Sequence, residues 1–161
     1  GVTGIFYRFI RKVCGVVVGH QIKRTAEVGY SREQMFALVN DIEAYPEYMD
    51  GCQSAAVLAR GDDWLEARLA LGLGGVSQSF VTRNQLIPPS KMTMELVDGP
   101  FRKFSGQWSF SDTTEGCCVT LELDFSLKNP LLAMAVNKMF EQIAASQVKA
   151  VCRRAQVVYG A

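Results

Sequence analysis

The sequence predicts an α+β domain in which a curved antiparallel sheet of about seven strands wraps around one long C-terminal helix. Two observations predict this fold class. After Pro130, 29 residues pass without a glycine or proline, and their apolar positions recur every three or four residues. Before it, successive short segments alternate apolar and polar residues, and short turns between them make neighbouring strands antiparallel. Because each strand has one apolar face, the sheet needs cover on one side, and only the C-terminal helix is long enough to provide it.

Residues 1–20 differ in composition from the rest of the chain and are predicted to precede the domain, which would span residues 21–161. They mix apolar residues with basic ones, and residues 5–13 have the pattern of a short basic amphipathic helix. The apolar runs are too short to span a bilayer. Two interpretations stay open for this extension: a loosely packed upstream segment, or a segment that binds a membrane surface or a partner.

Alternating residues predict the first strand over residues 21–28. Ser31 and Gln34 have the spacing of a capping box, which predicts a helix that begins after Ser31 and ends near Asn40. A second short helix or turn is predicted over residues 44–49, so two short helices follow the first strand.

Six further strands follow, each bounded by turns rich in glycine, proline or aspartate. In the last of them, valine, leucine and phenylalanine alternate with threonine, glutamate, aspartate and serine, which predicts one buried and one solvated face. The predicted strands cover residues 54–60, 64–71, 76–86, 91–97, 101–111 and 119–127.

The C-terminal helix is predicted to begin at Pro130 with Asn129 as its N-cap, because asparagine accepts hydrogen bonds from free N–H groups and proline fits the first helical position. At about 1.5 Å per residue the helix would be roughly 43 Å long. A helix of this length needs a large partner surface for its apolar stripe. The stripe comprises Leu132, Val136, Met139, Phe140, Ile143, Ala144, Val151, Ala155 and Val158.

The charge and the cysteine content limit the functions that the protein can have. The net charge is +1, but the first 24 residues hold five basic residues and no acidic one, which leaves the remainder negative. A domain of that sign is not expected to bind DNA. The five cysteines are odd in number and lack Cys-x-x-Cys spacing, so they are predicted to be reduced, as in the cytoplasm. With His20 as the only histidine, neither a metal site nor a cofactor is expected.

The domain offers no constellation for catalysis. The acidic pair at residues 62–63 is predicted to lie in a turn, and Glu122 with Asp124 on a solvated strand face. No histidine within the domain is available for a nucleophile–base pair. We therefore expect a protein that is not an enzyme.

A strongly curved sheet cannot close on a single helix at both ends, so we expect an apolar cavity that opens beneath the short helices and the hairpin tips. Methionines in its wall would adapt to varied ligands. Gln78, Asn84, Arg24 and Asn137 are candidates to orient a ligand head group. The large side chains predicted to face inward are Phe80, Met92, Met94, Phe104, Trp108, Phe125, Met134, Met139 and Phe140.

Three segments resemble the coenzyme Q-binding START family, within the polyketide cyclase/dehydrase group. They read VNDIEAYPEYMDGC at residues 39–52, FVTRN at 80–84 and VDGPFRKFSGQWSF at 97–110. The V-N-D-x-x-x-Y-P and V-D-G-P-F-x-x-x-x-G-x-W blocks are fairly specific together, and the resemblance covers about residues 21–160.

The resemblance implies the helix-grip, or START-like, fold and binding of a polyprenyl quinone such as ubiquinone in support of respiration. It implies that Tyr45 and Pro46 lie at the mouth or lid of the cavity and that Trp108 lies in its wall. The family also includes bacterial ribosome association toxins, so it implies an alternative role in which the protein binds the ribosome and blocks subunit association. No catalytic residues carry over.

The favoured hypothesis is a non-enzymatic carrier of a hydrophobic small molecule. The ribosomal toxin and a polyketide cyclase are the alternatives. A quinone carrier would be cytoplasmic and would contact the inner membrane peripherally, and a cavity too small for a polyprenyl tail would argue against it. The predicted ligand-binding residues are Tyr45, Pro46, Phe80, Met92, Met94, Phe101, Phe104, Trp108, Phe125, Asn137 and Phe140.

Overall fold

One antiparallel sheet of eight strands forms most of the described structure. A computed structural model describes residues 10–18 and 21–160. The strands are β1 (Ile10–Val18), β2 (Gln21–Val28), β3 (Cys52–Arg60), β4 (Trp64–Leu73), β5 (Val76–Ile87), β6 (Lys91–Asp98), β7 (Phe101–Asp112) and β8 (Cys117–Leu127); the helices are α1 (Arg32–Asn40), a 3-10 helix (Ile42–Glu47) and α2 (Pro130–Tyr159). The strands lie in the order β1-β2-β8-β7-β6-β5-β4-β3.

Strands β2 to β8 and helix α2 confirm the predicted fold class. β3 to β8 are neighbours in chain order, whereas β2 pairs with β8, so the first predicted strand closes beside the last one. α2 packs against β2, β8 and β4, and α1 packs against α2. The core therefore lies between α2 and the inner face of the sheet.

The structure corrects the prediction for residues 1–20. Residues 10–18 form β1, an edge strand that pairs antiparallel with β2, so this part of the predicted extension belongs to the sheet. The helix predicted over residues 5–13 is therefore wrong for its last four positions, since a short apolar run suits a strand as well as a helix. Residues 5–9 and His20 lie outside the described residues.

Capping fixes the start of α1 as predicted. The Ser31 Oγ accepts a hydrogen bond from the Gln34 backbone N–H at 3.1 Å, and the Gln34 Oε1 accepts one from the Ser31 N–H at 2.9 Å. The helix ends at Asn40, and the 3-10 helix follows at once, slightly earlier than the predicted second helix. This 3-10 helix packs against β3 and places Tyr45 over the end of the core.

Helix α2 also begins as predicted, because the Asn129 Oδ1 accepts hydrogen bonds from the N–H groups of Leu131, at 2.8 Å, and Leu132, at 3.4 Å. Its buried side chains begin at Val136. The inward orientation predicted for Met134 is wrong, since its side chain is 84% exposed. At 3.6 residues per turn, a residue two positions before Val136 lies about 200° around the helix from it.

The cysteines described with their side chains are free thiols, at Cys52, Cys117, Cys118 and Cys152. Burial raises the pKa of Cys52 to about 11 and, together with neighbouring groups, raises the pKa of Cys117 and Cys152 to about 12. Such thiols are rarely ionised near neutral pH, so these three are unreactive core groups.

Candidate ligand-binding cavity

A narrow apolar cavity lies between α2 and the inner face of the sheet. Strands β4 to β8 and α2 supply its walls, and the 3-10 helix contributes Ile42 and Tyr45. Its volume is about 50 Å³. This is enough for a few water molecules and well below the roughly 300–1,000 Å³ of a typical small-molecule pocket. Small and aliphatic parts of the lining are Ala67, Leu69, Leu71 and Ala144.

Five phenylalanines from three strands and α2 form one wall of the cavity, with Phe101 at their centre. The Phe101 ring centroid lies 5.0 Å from that of Phe104, 5.2 Å from Phe140 and 5.3 Å from Phe80. Phe125 is the fifth, at 6.2 Å from Phe101. Phe101 is 1% exposed, whereas Phe104 is half-buried. The wall therefore combines a fixed centre with a rim residue that has more freedom.

Another part of the wall is pliable, because a methionine side chain fills part of the space beside Gly106 on β7. A Cβ at this position would lie 2.5 Å from Leu123 Cδ2 and 2.8 Å from Met94 Cε, so both side chains occupy the space that a larger residue would need. Met94 is half-buried and lines the cavity. Its unbranched side chain can change rotamer at low cost, so a ligand could displace it.

One corner of the cavity is polar. Thr82 and Asn84 project from β5 beside Phe80, and they are 4% and 3% exposed. The Thr82 hydroxyl donates a hydrogen bond of 2.9 Å to Asn84 Oδ1. The Asn84 Nδ2 donates to Met92 Sδ at 3.6 Å. Gln147 of α2 also lines the cavity and is half-buried.

The ring of Tyr45 lines the cavity, and its hydroxyl is bonded to the backbone of α1. The Tyr45 hydroxyl donates a hydrogen bond to the Val39 carbonyl at the end of α1. Burial raises the pKa of Tyr45 well above its usual value, so it stays a neutral phenol. The Tyr48 ring packs edge-on against it at 6.2 Å. Tyr45 therefore fastens the 3-10 helix over this end of the core.

Comparison with known proteins identifies the family. The sequence profile of the family described as "Polyketide cyclase / dehydrase and lipid transport" matches residues 28–152. The chain belongs to this family. Its relatives include the ribosome association toxin RatA of Escherichia coli strain K12, which is 40% identical over 146 residues, 90% of this chain and 92% of RatA.

A more distant relative and a solved structure extend the picture. The mitochondrial coenzyme Q-binding protein COQ10 of Drosophila melanogaster is 27% identical over 72% of this chain and 50% of its own. A START superfamily protein from Mycobacterium smegmatis superposes with a TM-score of 0.72 at 25% identity, covering 87% of this chain and 99% of that one. These similarities confirm the predicted resemblance and the START-like fold. Within the described residues, no helix combines the length and apolar character needed to cross a membrane.

Most of the predicted ligand-binding residues lie together. Eight of the eleven line the cavity: Tyr45, Phe80, Met94, Phe101, Phe104, Trp108, Phe125 and Phe140. Met92 is buried just behind the lining, in contact with Asn84. Pro46 is exposed on the 3-10 helix and does not line the cavity. Asn137 is half-buried on α2, outside the lining, and its Oδ1 has no hydrogen-bond partner among the described residues.

Of the four polar residues predicted to orient a head group, only Asn84 lines the cavity. Arg24 and Gln78 are half-buried elsewhere on the sheet. The prediction missed Thr82, although it shares the inward face of β5 with Phe80 and Asn84 and the alternation of that strand indicates it. Helical periodicity is the only sequence signal that indicates Gln147 as a lining residue, because it lies seven residues after Phe140 and therefore on the same face of α2.

A wider groove of about 600 Å³ opens between β2, β8, β7 and β6. Most of its lining residues are polar or charged, and they include the ion pair between Lys23 and Glu122, whose charged atoms are 3.7 Å apart. Such a groove lacks the enclosed apolar wall that a lipid ligand requires. The narrow cavity is therefore the better candidate for an apolar ligand.

The exposed side of α2 carries basic residues. Lys149 and Arg153 are one turn apart and exposed, and neither forms an ion pair with another described residue. Arg154 is instead engaged, with its guanidinium 3.5 Å from the Glu47 carboxylate and 5.1 Å from the Tyr48 ring centroid. Lys149 and Arg153 are therefore available to an anionic partner.

Proposed function

We propose that this protein is a non-enzymatic carrier of a hydrophobic small molecule, and that the ligand is a polyprenyl quinone such as ubiquinone. The observation that carries the proposal is the apolar, aromatic cavity whose buried polar side chains, Thr82 and Asn84, lie together in one corner. A quinone has this character, because a polar ring with carbonyl oxygens is attached to a long apolar tail. The name of the relative COQ10 supports the same ligand class.

At about 50 Å³ the closed cavity is too small for a polyprenyl tail, which is the outcome expected to argue against a quinone carrier, so the proposal requires the cavity to expand. The half-buried Met94 and Phe104 are the wall residues best placed to move. The first turns of α2 are a second source of space, because Leu131 and Met134 are 77% and 84% exposed and contribute little to packing. Burial of the tail at about 0.8 kcal/mol per CH₂ would offset the cost of opening.

Cellular location follows from the ligand and the thiols. Buried free cysteines are consistent with a reducing compartment, so we place the carrier in the cytoplasm. Because a polyprenyl quinone resides in the bilayer, the carrier must also contact the membrane surface peripherally to exchange its ligand.

The first test is extraction of the purified protein with organic solvent, followed by mass spectrometry of the extract. We expect a stoichiometric polyprenyl quinone. Tryptophan fluorescence gives the second test, because the chain has two tryptophans and only Trp108 lines the cavity. In the Trp64→Phe variant, where Trp108 is the sole emitter, added ubiquinone should quench most of the emission.

The matched control is Trp108→Phe, which leaves Trp64 on the other side of the sheet, with the Arg83 guanidinium 4.0 Å from its ring centroid. Emission from Trp64 should respond weakly to ubiquinone. Equal quenching of both variants would mean that the quinone does not enter the cavity. An empty extract together with no quenching of Trp108 would contradict the carrier function.

Ribosome binding is the second candidate function. It is supported by the 40% identity with RatA over 90% of the chain, and by the unpaired cations on α2. Since phosphate contacts by lysine and arginine dominate RNA affinity, we expect the Lys149→Glu/Arg153→Glu double variant to co-sediment with ribosomes at least tenfold less than the natural sequence at low salt.

The control for this experiment is the Lys91→Glu/Arg102→Glu variant, which makes the same charge change away from α2. Raising the salt concentration should release the natural protein from ribosomes. Absence of co-sedimentation at low salt, or equal co-sedimentation of all variants, would contradict a ribosome contact through α2.

A further inference from the structure

Thr82 and Asn84 are the polar side chains buried in the core of the described residues. Both lie on the inner face of β5, between apolar residues, and both reach the cavity surface. A threonine hydroxyl and an asparagine amide placed among phenylalanines do not improve the core, because a leucine and a valine would fill the same space without polar atoms to satisfy. Their presence at this surface points to a ligand.

The hydrogen bonds of Asn84 leave donor capacity unused. An asparagine amide has two N–H donors and one carbonyl acceptor. Its Oδ1 already accepts the Thr82 hydroxyl at 2.9 Å, and the Met92 sulfur beside Nδ2 can only accept, so the two contacts together orient the amide. Among the described residues, the only acceptor for Nδ2 is the Met92 thioether at 3.6 Å, and sulfur is a weak acceptor. At least one N–H group of Asn84 therefore lacks an oxygen acceptor.

We propose that the Asn84 amide donates a hydrogen bond to a carbonyl oxygen of the bound ligand, and that Thr82 is a positioning residue that holds the amide in the donating orientation. This inference rests on the proposed function, and for a quinone the acceptor is a ring carbonyl. The quinone ring then lies in the polar corner, and the tail extends along the aromatic wall toward Phe104.

The register of the sheet supports this placement. Asn84 pairs with Met94 across β5 and β6, so the most pliable residue of the wall is the direct neighbour of the unsatisfied donor. Displacement of Met94 would open space for a ring beside the Asn84 amide. Gln147, on the opposite wall, is half-exposed and can donate to water, so it has less need of a ligand acceptor.

The test compares Asn84→Leu with the natural protein for ubiquinone binding. Leucine has the same branching as asparagine and removes the amide donor, although its methyl groups are bulkier and the Thr82 hydroxyl loses its acceptor. We expect quinone affinity to fall about tenfold, while the protein remains folded. Infrared difference spectra should show the carbonyl stretch of bound quinone lowered by hydrogen bonding in the natural protein, and returned toward its apolar-solvent value in Asn84→Leu.

Thr82→Val tests the positioning role. It keeps the donor but releases the amide, so we expect a smaller loss of affinity and a broadened carbonyl band. Gln85→Met is the matched control, because it replaces an amide on the exposed face of the same strand. It should change neither the affinity nor the band.

The outcomes separate this inference from the proposed function. If the natural protein binds ubiquinone, and Asn84→Leu binds it equally with an unchanged carbonyl band, Asn84 is not the donor although the carrier function stands. If the natural protein does not bind ubiquinone at all, both proposals fail.

Discussion

Replacement of Ala144 by leucine should weaken quinone binding on the order of 10- to 100-fold, because the new side chain would occupy the cavity. Ala144 is 5% exposed on α2 and lines the cavity opposite the sheet. Accommodating added side-chain atoms together with a ligand in a packed core costs roughly 1–3 kcal/mol, and each 1.4 kcal/mol corresponds to a tenfold change in affinity. Titration of tryptophan emission with ubiquinone would measure the loss.

The matched control is Ala135→Leu, the same substitution on the exposed face of the same helix. It should leave quinone affinity unchanged. Circular dichroism and thermal unfolding must show that Ala144→Leu remains folded. Its loss of stability should be reduced, because the empty cavity accepts part of the leucine side chain. Unchanged quinone affinity in a folded Ala144→Leu protein would mean that the ligand binds elsewhere.

Replacement of Phe101 by alanine should lower the free energy of unfolding by roughly 3–5 kcal/mol, the range for large aromatic residues in well-packed cores. Phe101 is 1% exposed and is the centre of the five-phenylalanine wall, so its removal takes away contacts to every other ring of that cluster. Urea denaturation followed by far-ultraviolet circular dichroism would measure the change.

Phe104→Ala is the informative comparison, because it removes the same group from the same cluster at a half-buried position. We expect it to cost clearly less stability than Phe101→Ala, since less apolar surface leaves water there on folding. A cost below about 1 kcal/mol for Phe101→Ala would mean that the wall collapses around the deletion and that the aromatic cluster does not determine the core.

The sequence by itself predicted the elements and most of the cavity wall. The capping box at Ser31 and the Asn129-Pro130 start of α2 are local signals, and the alternation within β5, β7 and β8 assigns inward faces residue by residue. Phe101 was predicted from the family resemblance, since strict alternation would put it on the face opposite Phe104. Phe104, Trp108 and Phe125 were predicted from alternation to lie in the wall before any strand pairing was known. Such signals depend only on neighbours in the chain, which is why they can be read from it.

The position of a side chain relative to other helices and strands was harder to predict from the sequence. The outward position of Met134 and the absence of Asn137 from the cavity depend on how α2 is rotated about its axis against the sheet. The sequence gives the width of an apolar stripe, but residues at its borders can face either way. The β1 strand is a similar case, because only pairing with β2 separates a strand from a short amphipathic helix there.

Two features of the site were decided by the tertiary structure alone. The volume of about 50 Å³ results from how closely α2 packs on the curved sheet, and no local pattern encodes that distance. The contact between Asn84 and Met92 depends on the register of β5 against β6, in which Leu86 pairs with Met92. The chain alone determined which residues face the core; the space left among them, and the acceptors available to a buried donor, were decided by contacts between segments far apart in sequence.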